Sequence, residues 1–342
     1  MHPPSRRRPI MAERALPALQ EERRGFRVAT RLLASQAFWV TLATLIIVVG
    51  MMAISDAFAS YKNVFNTTRN FAFIGIMALG QVVVIITGGI DLAVGSVMGL
   101  SGIVFGMAMA AGHSLWASAA LGLAVALAAG AVNGYLIAYL GLSPFVVTLG
   151  MLSVARSLAL VVSNNQMVYQ FGPDEQLLFA LGGGETLGVA NPVLILVGLT
   201  LVFGFLLNFT VWGRHIYAVG GNPQAARLTG LAVERIKLSA YLLSALTAGI
   251  AAILTIGWLG SVTNALGLTY ELRVIAASVI GGANLLGGEG TAYGALIGSA
   301  LLEIIRNSLL LAGVDPYWQG TFIGLFIVLA VLLERIRGRR SA

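Results

Sequence analysis

The chain has no cysteine, only two lysines (Lys62 and Lys237) and three histidines in 342 residues. Without cysteine there are no disulfides and no thiolate chemistry. A P-loop ends in Gly-Lys-Ser/Thr to cradle phosphates, and neither lysine follows a glycine, so this chain has no P-loop for ATP. His2, His113 and His215 are scattered, with no HExxH spacing for zinc. Neither a G-x-S-x-G elbow nor a G-x-G-x-x-G dinucleotide fingerprint occurs. The expectation is a chain that is not an enzyme and that holds no metal and no cofactor of its own.

Charge is scarce too: charged residues are 10% of the chain and apolar residues 58%. From Leu92 to Ala155 there is no Asp, Glu, Lys or Arg. A helix needs roughly 20 apolar residues to cross a bilayer, so that stretch alone holds more than two spans. The expected fold class is all-α, a polytopic transmembrane helical bundle. Ten spans are expected, near 36–54, 71–88, 92–111, 115–139, 144–163, 191–210, 238–258, 270–285, 291–311 and 318–334. The eighth is short and broken by glycine. "AFAS" at Ala57–Ser60 resembles a signal-peptide cleavage site, but the basic and apolar stretches before it are too long for one, so 36–54 reads as the first span.

The net charge of +7 sits at the two ends. Residues 1–35 carry eight Arg against three Glu, and residues 334–342 four Arg against one Glu. Such tails speak to membrane lipid and orientation rather than nucleic acid. An even span count puts both on one side, and the positive-inside rule makes that side the cytoplasm. The loops agree: 211–237 has Arg214, Arg227, Arg235 and Lys237 against Glu234, whereas 164–190 has Asp174, Glu175 and Glu185 and no cation. The expected organisation is a basic cytoplasmic tail at 1–35, a transmembrane domain at 36–334 with a polar loop at 211–237, and a second basic cytoplasmic tail at 335–342.

Glycine, by contrast, is abundant, at 42 residues. Gly290, Gly294 and Gly298, and likewise Gly95 and Gly99, recur every fourth position, a pattern that lets helices pack closely in lipid. "GGIDLAVG" at Gly88–Gly95 and "GGANLLGG" at Gly281–Gly288 echo one another, with Asp or Asn at the same place. The echo reads either as a relic of duplication or as chance in a glycine-rich chain.

Ionisable and amide side chains inside spans are costly and must face protein, water or headgroups. Asp91 is placed to cap the third span. Arg156 lies well inside the fifth span, to snorkel, pair with a carboxylate or touch a polar solute. Glu271 opens the eighth segment, and Glu303 can pair with Arg306 at i, i+3. Gln81, Asn133, Asn284 and Asn307 read as interhelical hydrogen-bonding groups or pathway-lining ones. The in-span carboxylates lie beside arginines or at segment starts, which fits an ion-coupled carrier poorly.

The polar loop contains "VGGNPQAARLTGLAVERIKL" (Val219–Leu238). Within it, Asn222 can cap a short helix, Pro223 suits its first position and Gly230 can end it.

Four stretches together resemble the permease subunits of bacterial ABC importers for monosaccharides, the ribose-type permease family. They are "GGIDLAVGS" (Gly88–Ser96), "NGYLIAYLGLSPFVVTLGMLSVARSLAL" (Asn133–Leu160), "GRHIYAVGGNPQAARLTGLAVERIKL" (Gly213–Leu238) and "YELRVIAASVIGGANLLGGEGTAYGALIGSALLEIIRNSLLLAG" (Tyr270–Gly313). The match spans roughly 60–335 and leaves out the Arg-rich 1–35. The resemblance implies a multi-pass protein of the bacterial inner membrane, working as a dimer of permease copies with a separate ABC ATPase subunit and a periplasmic sugar-binding protein. It also implies that Asn222–Thr229 is the coupling helix docked on the ATPase. That assigns Asn222, Pro223, Gln224, Ala225, Ala226, Arg227, Leu228 and Thr229 to coupling, bordered by Gly220, Gly221 and Gly230. The usual Glu-Ala-Ala of such helices is Gln224-Ala225-Ala226 here. The solute expected is a monosaccharide or polyol such as ribose, xylose or inositol. The alternative reading of the chain is an autonomous secondary carrier or facilitator.

Overall fold

A computed structural model of the protein describes residues 35–318, 320–322 and 324–325. The described chain is helical apart from short turns and a two-stranded hairpin, Glu185–Thr186 with Val189–Ala190. The helices are α1 (Gln36–Ile54), α2 (Tyr61–Ile86), α3 (Val94–Ala110), α4 (Leu115–Ala138), α5 (Pro144–Val162) and α6 (Glu175–Gly183). They continue with α7 (Asn191–Phe209), α8 (Val211–Gly221), α9 (Pro223–Leu228), α10 (Val233–Leu259), α11 (Tyr270–Ile280) and α12 (Ala292–Leu311).

Seven of these (α1, α2, α4, α5, α7, α10 and α12) are long and apolar enough to cross a membrane. Helix α3 is apolar but shorter, at 17 residues. The eighth expected segment is cut short: α11 has 11 residues, about 17 Å at 1.5 Å per residue, and ends at Gly281–Gly282. The tenth expected span and both basic tails lie almost wholly outside the described residues.

The second span begins ten residues earlier than its hydropathy suggests. Tyr61–Asn70 is polar, yet it continues on one helix with the rest of α2, and several of its polar side chains find partners within the protein. Asn63 and Asn307 exchange amide hydrogen bonds at 3.0 and 2.8 Å. The Arg69 guanidinium lies 4.7 Å from the Trp258 ring centre, a favourable cation–π geometry.

Helices α2 and α10 form the centre. The most apolar stretch of α2 is 83% buried, against 11% for α1 at the periphery. In lipid, helices gain little from the hydrophobic effect, so close contact carries the packing. Glycine supplies it. A Cβ on Gly80 of α2 would lie 2.7 Å from the Ser244 Cα of α10. One on Gly130 of α4 would lie 2.8 Å from the Tyr241 carbonyl on the other side of α10. The α11–α12 hairpin closes the same way, with Gly281 and Gly294 each filling the space a side chain of the other would need. Gly298 abuts the Ala277 carbonyl of α11. Gly95 and Gly99 of α3 are different: the space before them is taken first by the Gly267 and Leu266 carbonyls of an irregular loop, and then by the side chains of Glu271 of α11 and Arg156 of α5.

Candidate functional site

The polar loop between α7 and α10 is a helical structure in two pieces. Thr210 caps α8 by accepting from the Gly213 N–H at 3.1 Å. The Asn222 carboxamide oxygen caps α9, accepting from the Gln224 and Ala225 N–H groups at 3.0 and 2.9 Å. Pro223 stands at the first position of α9, and Gly230 ends the turn after it with φ +84°, a left-handed value that costs glycine little. Helix α9 is therefore Pro223–Leu228, with Asn222 and Thr229 as its caps. Ala226 is buried with Val219 and Val233 in a small apolar cluster of the loop's own. Gln224, Ala225, Arg227, Leu228 and Thr229 face outward. Leu228 is 89% exposed. Arg227 pairs with Glu234.

Helix α8 connects this loop to the membrane interior. Trp212 Nε1 donates to Ser239 Oγ of α10 at 2.9 Å, and the Tyr217 hydroxyl donates to the Gly290 carbonyl at 2.8 Å. At its end, Gly220 meets two other backbones. A Cβ on Gly220 would lie 1.7 Å from the Ile86 carbonyl oxygen and 2.7 Å from the Gly288 nitrogen. The Gly288 N–H itself donates to that Ile86 carbonyl at 2.8 Å. A Cβ on Gly287 would lie 2.8 Å from the Gly220 carbonyl and 3.0 Å from the Gly88 nitrogen. Thus the end of α2, the end of α8 and the loop before α12 meet backbone to backbone.

Two of these three strands of chain are the echoing glycine motifs, and both fold into the same turn. Asp91 Oδ1 accepts from the Ala93 N–H, two residues on, at 2.9 Å. Asn284 Oδ1 accepts from the Leu286 N–H, also two residues on, at 2.9 Å. These are Asx turns, in which the side chain stands in for a backbone acceptor. Asp91 is therefore not the cap of α3, as its position suggests. That helix starts at Val94 with Ala93 before it and has no side-chain cap.

The second carboxylate oxygen of Asp91 accepts from Ser244 Oγ of α10 at 2.8 Å. The Gln81 side-chain amide lies against the Asp91 backbone, 3.3 Å from its carbonyl and 3.2 Å from its N–H, and pairs with both when its nitrogen faces the carbonyl. Above the turn, the Tyr241 hydroxyl donates to the Ile90 carbonyl at 3.3 Å. Asp91→Asn keeps an acceptor for Ala93 and gains a donor for Ser244, so it is expected to stay within about 1 kcal/mol of the parent. Asp91→Ala strands two buried groups at about 1–3 kcal/mol each. Thermal unfolding in detergent measures both. An Asn variant as damaged as the Ala variant would show that the charge itself is required.

The remaining polar candidates do not gather at this junction. Among the described residues Arg156 makes no salt bridge; its Nη1 donates to the carbonyls of Asn264 and Leu266 at 2.5 and 2.9 Å, and Glu271 is near enough to attract it electrostatically. Glu271 stands in the first turn of α11, and its Oε2 is buried with no hydrogen-bond partner among the described residues. Glu303 pairs with Arg306 at 2.5 Å, one turn on. Asn307 joins α12 to α2 through Asn63. Asn133 is buried in α4, and its Oδ1 has no partner among the described residues, so the expected interhelical bond is not made there. Of the four amides, only Asn307 bonds across helices. Sequence reasoning did not single out Tyr217, Tyr241, Ser244 or Ile86. A tyrosine inside a cationic loop is the one signal that could have found Tyr217.

The fold and this junction describe a multi-pass membrane protein whose cationic helical loop is tied to two glycine turns. Residues 63–331 match the family described as branched-chain amino acid transport system / permease component. The chain belongs to this permease family. It is 43% identical over 284 residues to a probable ABC transporter permease protein of Sinorhizobium fredii, covering 83% of this chain and 84% of that one. It is 37% identical over 294 residues to the ribose import permease protein of Escherichia coli, covering 86% and 92%. It is 36% identical over 282 residues to an L-arabinose ABC transporter permease protein of Azospirillum brasilense, covering 82% of each. No solved structure matches the chain.

Proposed function

We propose that this chain is the membrane-spanning subunit of an ATP-driven importer that carries a monosaccharide or polyol across the bacterial inner membrane. The carrying observation is the likeness, over most of both chains, to permeases named for ribose, fructose and arabinose. The missing P-loop supports a division of labour, since energy must then enter from a separate ATPase. In this reading both basic tails and the α8–α9 loop face the cytoplasm, and α9 is the element that the ATPase grips. A periplasmic binding protein delivers the solute to the opposite face, and a second copy of the chain completes the pathway. The Asn222 cap and the apolar cluster around Ala226 make α9 a stiff handle. The Tyr217 bond and the Gly220 junction link it to both glycine turns.

The test is uptake of labelled D-ribose, D-fructose, L-arabinose and myo-inositol by vesicles holding the assembled importer, with and without ATP. The expected result is uptake of at least one of them that needs ATP and the ATPase subunit. Flux by this chain alone, driven by a proton or sodium gradient, would overturn the reading in favour of a secondary carrier.

A further inference from the structure

A pocket of about 450 Å³ opens where the C-terminal half of α5 meets the loop between α10 and α11. In the orientation proposed above, this is the outer face. The pocket lies within the roughly 300–1,000 Å³ of small-molecule sites. Its walls are pinned together. Val168 and Val262 exchange backbone hydrogen bonds at 3.0 and 2.8 Å. Asn264 is held at every polar end that faces the wall: Ser163 Oγ donates to its Oδ1 at 2.9 Å, and its Nδ2 donates to Asn165 Oδ1 at 3.0 Å. Its carbonyl accepts from Arg156 at 2.5 Å. Asn165 adopts φ +56° and its neighbour Asn164 φ +50°. Asparagine tolerates such left-handed backbone angles better than most residues other than glycine.

The lining leaves specific groups unused. No hydrogen bond among the described residues engages the Gln166 amide, the Thr263 hydroxyl or the Asn165 Nδ2, and all three residues are exposed. Amides and hydroxyls offer donors and acceptors side by side, as the hydroxyl groups of a sugar do. Leu160, Met167 and Leu268 add apolar surface beside them. Among the described residues no carboxylate lines the pocket, so the ammonium group of a zwitterionic amino acid would meet neutral oxygen acceptors there but no opposite charge. The only charge is the Arg156 guanidinium, and one of its amino groups is committed to the two carbonyls.

We infer that this pocket is a receiving site for an uncharged, polyhydroxylated solute on its way into the translocation path. The inference rests on the import reading and adds to it a place and a set of residues. The absence of cysteine makes the test direct, because a single Gln166→Cys or Thr263→Cys is the only thiol in the full chain. Both positions are exposed, so neither change removes a core contact. A membrane-impermeant maleimide is added outside sealed right-side-out vesicles holding the importer, and the labelling rate is read with D-ribose, D-fructose, L-arabinose or L-leucine present. Leu187→Cys, at the 98% exposed tip of the hairpin, is the control.

The expected result is slower labelling at 166 and 263 with a sugar that the wild-type importer takes up. The factor is 1 + [L]/Kd, about threefold at twice Kd, with no change at 187 and none with leucine. Uptake of a sugar that protects neither thiol overturns the pocket and leaves the import reading standing. Protection by leucine alone overturns the solute class. Protection by a sugar without ATP-dependent uptake keeps the pocket and overturns the import reading.

Discussion

Leu228→Asp is expected to abolish ATP-dependent uptake while the protein still inserts and folds. Leu228 is a large apolar side chain, 89% exposed, on a short capped helix surrounded by cationic loop. Among the described residues it belongs to no apolar cluster. Its neighbour Ala226 does, buried with Val219 and Val233. Removing Leu228 should therefore cost the isolated permease little. If α9 docks on the ATPase as proposed, this side chain would be its anchor, and a buried anchor residue carries about 2–4 kcal/mol. At 1.4 kcal/mol per tenfold, that is roughly a 30- to 700-fold loss of affinity for the ATPase. Binding of the purified ATPase to permease in nanodiscs measures it. Arg227→Ala is the contrast: its exposed pair with Glu234 is worth about 0–1 kcal/mol, and affinity should change little. Unchanged ATPase binding by the Asp variant would remove α9 from the interface.

Gly220→Ala is expected to damage the protein more than any single methyl usually does. The added carbon would lie 1.7 Å from the Ile86 oxygen and 2.7 Å from the Gly288 nitrogen. Both are backbone atoms, and they are hydrogen-bonded to each other. No side chain can rotate away, so α8 must move or the Gly288–Ile86 bond must break. Overpacking of this kind costs about 1–3 kcal/mol even where side chains can yield, and more is expected here. Gly221, one residue on, has nothing within 4 Å of its would-be Cβ, so Gly221→Ala is the matched control. Yield after extraction and thermal unfolding should fall for the first variant and hold for the second. Equal behaviour of the two would show that the junction yields easily.

Most of the spans were legible because a bilayer leaves so plain a mark on composition: long apolar runs, and charge only where water is. The same logic misplaced the start of α2. Hydropathy counts Asn63, Arg69 and Asn70 as reasons to leave the membrane, whereas Asn307 and Trp258 satisfy two of them within the protein. It also hid α8, whose Arg214, His215 and Tyr217 make it look like plain loop, and α6, which lies in an acidic connection. The cap, proline and glycine of α9 could be read directly because each residue type has a local backbone job. The meeting of Gly220 with Ile86 and Gly288 could not, since it joins positions more than 60 residues apart. The echo between Asp91 and Asn284 was visible as letters. Only the shared Asx turn gives it a structural meaning.

The three-way junction has no rotamers. Side chains in a packed interface can absorb small displacements by hopping between staggered states, and that slack dilutes whatever motion enters at one end. Here the parts in contact are peptide groups, which are planar and stiff. If α9 is the coupling helix proposed above, a shift of it would meet both glycine turns through backbone contacts with little slack between them. Because no side chain takes part, residues elsewhere on the solute's path are free to differ without retuning the drive.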